Sequence, residues 1–317
     1  MHHFRSVHDV PDLPALLARA RAFKADPRQC IELGRGKTLG LVFLNPSTRT
    51  RISTQIAARN LGLEVVVFNA GTEGWTLEFA DGAVMDGVSV EHIREAVPVL
   101  GQYFDLLGVR TFPALQNRTD DYSETVLGKF TDLSGRPVLS LESATLHPLQ
   151  SLADLLTIQE LWPHKRRPRV VLTWAPHIKP LPHCVANSFA QWVTAWGEAD
   201  LVITHPEGYA LDAQYTAGAA TTTNQSEALD GADFVYVKNW SATEPYGQIT
   251  CTDRSWMLSP EKLTRTNQAR VLHCLPVRRD LELGAAVLDG PHSAVVQQAG
   301  NRVWAAQAVL EGMIMGY

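Results

Sequence analysis

Short apolar runs rich in β-branched residues recur along the chain, and longer stretches of helical spacing separate them. The runs predict strands at 38–44, 64–69, 105–110, 137–141, 169–174, 200–205, 232–238, 270–275 and 293–297. Most are continuous rather than alternating, as in "RVVLTW" and "DFVYV", the pattern of parallel strands covered on both faces. Between them, Val185, Phe189, Trp192, Val193 and Trp196 follow helical spacing over 182–196, and Gly197 ends that run. Alternation of this kind specifies an α/β fold with doubly wound parallel sheets.

A chain of 317 residues is long for one compact core, so two domains are expected. "PLQSLADLLTIQELW", 148–162, reads as one long helix with Pro148 in its first turn, followed by the polar loop "PHKRRP". Four strands precede this helix and five follow it. The expected domains are 1–147 together with a terminal helix over 301–317, and 148–300.

Composition excludes several function classes. A net charge of -5 argues against a nucleic-acid footprint. No apolar stretch reaches the roughly 20 residues of a membrane span, and "MHHFRSVHDV" has no apolar signal core, so a cytoplasmic protein is expected. Four scattered cysteines form neither a disulfide framework nor a zinc site, and His177 and His183 lack carboxylates at ligand spacing. No metal and no cofactor are expected.

The stretch "FLNPSTRTR", 43–51, ends an apolar run and opens a helical one. A helix starting just after Pro46 aims its free N–H groups and positive dipole end at that point. Ser47, Thr48 and Thr50 add hydroxyls, and Arg49 and Arg51 add guanidinium forks that suit phosphate oxygens. An ordinary helix cap needs one hydroxyl rather than three. "GRGKT", 34–38, is not an ATP-binding P-loop: Ile31 stands where that motif needs glycine, and the segment precedes a strand.

Further candidates sit at strand ends, where ligands of parallel α/β folds gather. Arg110 ends "DLLGVR", Lys238 ends "DFVYVK", and Glu142 is placed to receive a ligand ammonium or to cap a turn. His147 opens the long helix, where a neutral imidazole can donate to a carbonyl, and Gln150 lies one turn on. In "HCLPVRR", 273–279, Cys274 has no activating neighbour in sequence and reads as a small buried residue, whereas Arg278 can hold an anion or stay solvated.

"STRTR" (47–51), "HPLQ" (147–150) and "HCLP" (273–276), in that order, resemble the signature of the aspartate and ornithine carbamoyltransferase family over essentially the whole chain. The resemblance implies a carbamoyl-phosphate-binding first domain. Ser47, Thr48, Arg49 and Thr50 bind the phosphate there, with Arg302 completing its site. Arg110, His147 and Gln150 hold the carbonyl and carbamoyl nitrogen, and the backbone carbonyls of Cys274 and Leu275 accept from that nitrogen. Arg49, Thr50, Arg110 and His147 are the expected catalytic groups. The family is built on trimers with interfacial active sites, so a homotrimer is expected, with Trp75 and the loop around 80–92 supplied by the neighbouring chain.

No Ser-Met-Gly follows an aspartate here, unlike in enzymes that grip a free α-amino group. "YVKNW" (236–240), "EGWTLE" (73–78) and "TWAPH" (173–177) instead resemble the branch acting on N-acylated ornithine in arginine biosynthesis. The second domain is then the N-acylornithine-binding one, with Glu142, His177, Lys238, Arg278 and Val90 as substrate contacts. Acetyl enzymes typically carry glutamate where "VMDGVSVEH" has Val90, and a lysine in the last helix where Gln307 stands. A glutamate at 90 would repel a succinyl carboxylate, whereas His177, Lys179 and Arg278 could receive it. N-Succinylornithine is therefore the expected substrate. N-Acetylornithine stays open as an alternative, and so does a non-catalytic carbamoyl-phosphate-binding subunit.

Overall fold

The computed structural model describes residues 1–316. The chain divides into two compact units. The first comprises Met1–Pro113, Asp120–Leu149 and the chain from Arg302 onward; the second comprises Ala114–Thr119 and Gln150–Asn301.

The first unit carries a four-stranded parallel sheet of β1 (Thr38–Phe43), β2 (Glu64–Asn69), β5 (Leu106–Arg110) and β6 (Val138–Glu142), in the order β2-β1-β5-β6. A minor parallel pair, β3 (Leu77–Glu78) and β4 (Glu91–His92), flanks a long loop. The second unit holds β7 (Arg169–Trp174), β8 (Asp200–Thr204), β9 (Ala220–Thr222), β10 (Phe234–Lys238) and β11 (Arg270–Leu272), parallel in the order β11-β10-β7-β8-β9. β5, β6 and β10 are buried along their whole length, as their continuous apolar runs require. Each unit has its own core: Val42, Leu107, Val109 and Phe130 in the first, Val171, Leu229, Val235 and Val271 in the second.

Sheet order places the ligand ends. In the first sheet the chain runs from β1 out to β2, then returns to the other side of β1 for β5. The winding therefore reverses between β1 and β5. In the second it reverses between β7 and β10. Crevices open outside the carboxyl ends of strands at such points.

Two expectations need correction. No strand forms at 293–297; Val295 begins the helix Val295–Met315 instead. Its buried positions Val295, Gln298, Asn301, Arg302 and Ala305 follow helical period, and four residues of "SAVV" are too few to separate strand from helix. The run 270–275 leaves the ladder after Leu272: His273 N–H donates to Gln298 Oε1 instead, and Leu275 takes a left-handed conformation with φ of 56°. β9, with Ala-Thr-Thr at the sheet edge, lacks the apolar character that would have marked it. No helix among the described residues is long and apolar enough to cross a membrane.

The helix Thr48–Asn60 is held in place at its far end. Gly62 takes φ of 81°, and an added Cβ there would fall 2.0 Å from the Ile31 carbonyl oxygen. Gly62→Ala is expected to destabilise the protein by more than about 1 kcal/mol, read as a lower urea midpoint; an unchanged midpoint would contradict this packing.

Candidate functional site

The first unit gathers its candidates around the β1/β5 reversal. β1 ends at Phe43, which pairs in register with Arg110 at the end of β5. Beyond the ladder, Leu44 N–H donates to the Arg110 carbonyl at 3.0 Å and Thr111 N–H to the Glu142 carbonyl at 2.9 Å. These bonds hold the three strand ends side by side. The helix Thr48–Asn60 starts directly after, with Ser47 at its N-cap making no side-chain cap bond. A plain Ser cap would spend that hydroxyl on the helix, so the capping account of this stretch fails. A cleft of about 550 Å³ opens here, lined by Asn45, Ser47, Thr48, Arg51, Asn69 and Thr72 among others.

Thr50 is buried, and its hydroxyl accepts from Arg302 Nη2 at 2.5 Å. Arg110 and Glu142 are both buried and form an ion pair. The Arg110 guanidinium also lies over the Phe112 ring, 4.8 Å from its centroid. His147 is buried, with Nε2 3.3 Å from the same Glu142 carboxylate. Its Nδ1 is buried without a hydrogen-bond partner. Burial holds His147 down to about 3; Glu142 opposes this, and the Arg302, Arg110 and Arg49 guanidinium groups add to it. The imidazole is therefore neutral at physiological pH. Glu142, expected as a substrate ligand, has its carboxylate engaged with Arg110 and His147.

The turn before His147 is braced by a residue that sequence reasoning missed. Glu124 Oε1 accepts from Ser143 Oγ at 2.6 Å, Thr145 N–H at 2.7 Å and Thr145 Oγ1 at 2.5 Å. Nothing in "SETVLG" signals this; only the fold brings 124 to 143–145.

The second unit gathers the rest near the β7/β10 reversal. Lys238, in register with Trp174, is buried and donates to the Asn239 carbonyl at 2.8 Å. Asn239 Nδ2 ties the crevice by donating to the Ala175 carbonyl at 2.6 Å. Arg278 Nε donates to His177 Nε2 at 3.1 Å, which leaves His177 Nδ1 to carry the proton and donate to the Lys179 carbonyl at 2.8 Å. Burial, with Lys238 and Arg278 nearby, keeps His177 below its ordinary value. Cys274 is half-buried rather than buried. His273 Nδ1 accepts from Leu275 N–H at 2.8 Å and so shapes the turn after β11. Glu282, also missed, lies 3.4 Å from His273 Nε2 and accepts from Arg278 N–H at 2.8 Å. Burial alone would raise Glu282, but His273, Lys238 and that N–H outweigh it and hold the carboxyl at about 2. Gln150 donates to Asp154 at 2.7 Å.

Trp75 and Val90 stand apart on the loop side of the first unit, 64% and 61% exposed. A core role for Trp75 is thereby excluded. Gln307, expected to vary with substrate, is fully buried between Asn60 and the Pro27 carbonyl at 3.0 and 2.7 Å. No group of three or more His, Cys, Asp or Glu among the described residues could hold a metal ion.

Two parallel α/β units place the chain in the doubly wound class, and the open helix N-terminus of one, with buried Arg302 donating to Thr50, suits an anion. Residues 2–160 match the aspartate/ornithine carbamoyltransferase carbamoyl-P binding domain and 183–313 the Asp/Orn binding domain, so the chain belongs to the aspartate/ornithine carbamoyltransferase family. It is 48% identical to an N-succinylornithine carbamoyltransferase of Bacteroides thetaiotaomicron, covering 100% of this chain and 99% of that one. With an N-acetylornithine carbamoyltransferase of Xanthomonas campestris pv. campestris it shares 36%, over 99% of this chain and 98% of the other. Among solved structures it resembles an N-acetyl-L-ornithine transcarbamylase in which valine replaces a glutamate, complexed with carbamyl phosphate and N-succinyl-L-norvaline. The TM-score is 0.91 at 35% identity, over 99% of this chain and 100% of that one.

The buried neutral His147 has a pH consequence. Above its ordinary value of 6.5 it is uncharged both folded and unfolded. As pH falls from 6.5 toward about 3, the unfolded chain takes up a proton that the native site refuses, so stability declines over that window. Urea unfolding at pH 7 and pH 5 should show a smaller loss in His147→Gln than in the unmodified protein. Equal losses would contradict the assignment.

Proposed function

We propose that the protein transfers the carbamoyl group of carbamoyl phosphate to the δ-amine of N2-succinyl-L-ornithine, giving N-succinylcitrulline and phosphate in arginine biosynthesis in the cytoplasm. The observation that carries this reading is the charge arrangement: Lys238, His177 and Arg278 gather at the second unit's reversal, and the exposed loop position 90 is an uncharged valine. N-Succinylornithine brings two carboxylates and no α-ammonium. N-Acetylornithine brings one carboxylate. Two cationic side chains, one of them oriented by His177, suit the former, and a glutamate at 90 would cost several kcal/mol against a succinyl carboxylate. The solved relative that holds N-succinyl-L-norvaline after a glutamate-to-valine change supports this, taking that glutamate as the counterpart of Val90.

In the first unit, Ser47, Thr48, Arg49, Thr50 and Arg302 bind the phosphate. Arg110 and His147 stabilise the charge that grows on the carbonyl oxygen. The neutral δ-amine attacks the carbamoyl carbon; the N–C bond forms, the C–O bond to phosphorus breaks, and the amine sheds a proton as phosphate leaves. Holding the reactants together supplies much of the remaining barrier reduction. Cys274 and Leu275 offer backbone carbonyls to the carbamoyl nitrogen, as does the side chain of Gln150.

Trp75, Val84, Val88 and Val90, all more than half exposed, make the loop an apolar surface. An interface with another chain would cover such residues. In this reading a second copy covers it within a homotrimer, and Trp75 serves a neighbour's site.

A turnover assay with ornithine, N-acetylornithine and N-succinylornithine should give the fastest carbamoylation with the succinyl substrate. Arg49→Ala should lower it by about 10²–10³, and Val90→Glu should shift preference toward N-acetylornithine. Faster turnover of N-acetylornithine by the unmodified protein would overturn the succinyl assignment. Light scattering is expected to give the mass of three chains; a monomer at working concentration would refute the trimer.

A further inference from the structure

Asp154 is fully buried on the helix Pro148–Leu161. Its Oδ1 accepts from two side-chain amides, Gln150 Nε2 at 2.7 Å and Gln298 Nε2 at 2.6 Å. Gln298 in turn accepts, through Oε1, the backbone N–H of His273 at 2.8 Å. Tyr236 stands beside the carboxylate: burial first, then the Asp154 charge, pushes its hydroxyl well above the ordinary value, so it stays protonated.

A primary amide has two ends of nearly equal shape, a donor and an acceptor, and can be seated either way round. A carboxylate removes that choice, because it can only accept. Gln298 exhibits the result at both ends, with NH₂ on Asp154 and oxygen on His273 N–H. Gln150, its NH₂ on the same carboxylate atom, must likewise turn its oxygen away from Asp154. The one carboxylate thus sets the sense of Gln150 and, through Gln298, anchors the end of β11 just before Cys274 and Leu275.

We propose that Asp154 is a positioning residue for substrate selection: it commits Gln150 to accept, so that the site reads the NH₂ donors of a carbamoyl group and discriminates against acyl phosphates with a methyl there. The proposal rests on the carbamoyl-transfer reading for the role of Gln150. Asparagine at 154 could donate as well as accept, which would allow Gln150 to reverse. Such a reversal would set an N–H against the substrate's N–H.

The test compares two probes by calorimetry on the intact protein, carbamoyl phosphate and acetyl phosphate. Asp154→Asn should weaken carbamoyl phosphate by about 10- to 100-fold and leave acetyl phosphate within about twofold. In a Gln150→Met background, the same change should no longer alter the ratio of the two. Equal weakening of both probes would assign Asp154 a purely structural role, and no change in either would also refute the proposal. Should Asp154→Asn fail to fold, selectively ¹⁵N-glutamine-labelled unmodified protein decides. The Gln150 side-chain NH₂ protons should stay protected from exchange with and without carbamoyl phosphate; loss of protection on binding would overturn the idea. Product formation by the unmodified protein is a separate measurement. Its absence would sink the proposed reaction while the two affinities still report on Asp154.

Discussion

Keeping guanidinium groups out of water is the constraint on which the first unit depends. Arg110 and Arg302 are almost wholly buried, and a lone charge in such a place is prohibitively costly. The fold meets the cost with polar partners. Glu142 pairs with Arg110, and Arg302 donates to the Thr50 hydroxyl. His147 stays neutral beside them. A buried ion pair is weak evidence for stability, because dehydration consumes most of its Coulombic gain. Its presence where three strand ends meet points to charge chemistry rather than to stability, and in the proposed function a phosphate is the partner of this cluster.

Position follows from topology rather than from any one motif. Arg110 and Glu142 are each the last residue of a strand, and the helix Thr48–Asn60 begins five residues beyond β1. A parallel sheet that reverses its winding between β1 and β5 delivers these three to one edge. The second sheet repeats the device between β7 and β10, with Lys238 as a last residue and Asn239 lacing the crevice to Ala175. Two independently wound sheets thus offer two polar edges, one rich in guanidinium and hydroxyl groups, the other in lysine, arginine and imidazole.

What could be read from the residues alone divides along physical lines. Central strands were legible because burial on both faces leaves a continuous apolar signature, as in β5 and β10. The edge strand β9, with Ala-Thr-Thr, carries no such mark. "SAVV" misled because four residues hold no period, and only the buried spacing from Val295 to Ala305 reveals the helix. The residues proposed to bind the phosphate announced themselves by type and place, since few roles require three hydroxyls and two guanidinium groups together. The groups that hold those residues did not. Glu124 and Glu282 look like surface acids in sequence, and Gln298 like one of two adjacent polar residues. Each acts through contacts made only after folding, with 143–145, 273 and 154 respectively.

Those supporting groups explain why the two units reach polarity by different means. In the first, charge opposes charge, and burial with neighbouring cations keeps His147 from protonating. In the second, Asp154, Gln150 and Gln298 form a chain in which one acceptor-only group dictates the orientation of two ambivalent ones. A directional hydrogen-bond pattern can separate an NH₂ from a methyl of similar size, because the wrong group leaves a buried acceptor unsatisfied. In the proposed reading, affinity for the anion and selection of the group it carries therefore rest on different physics.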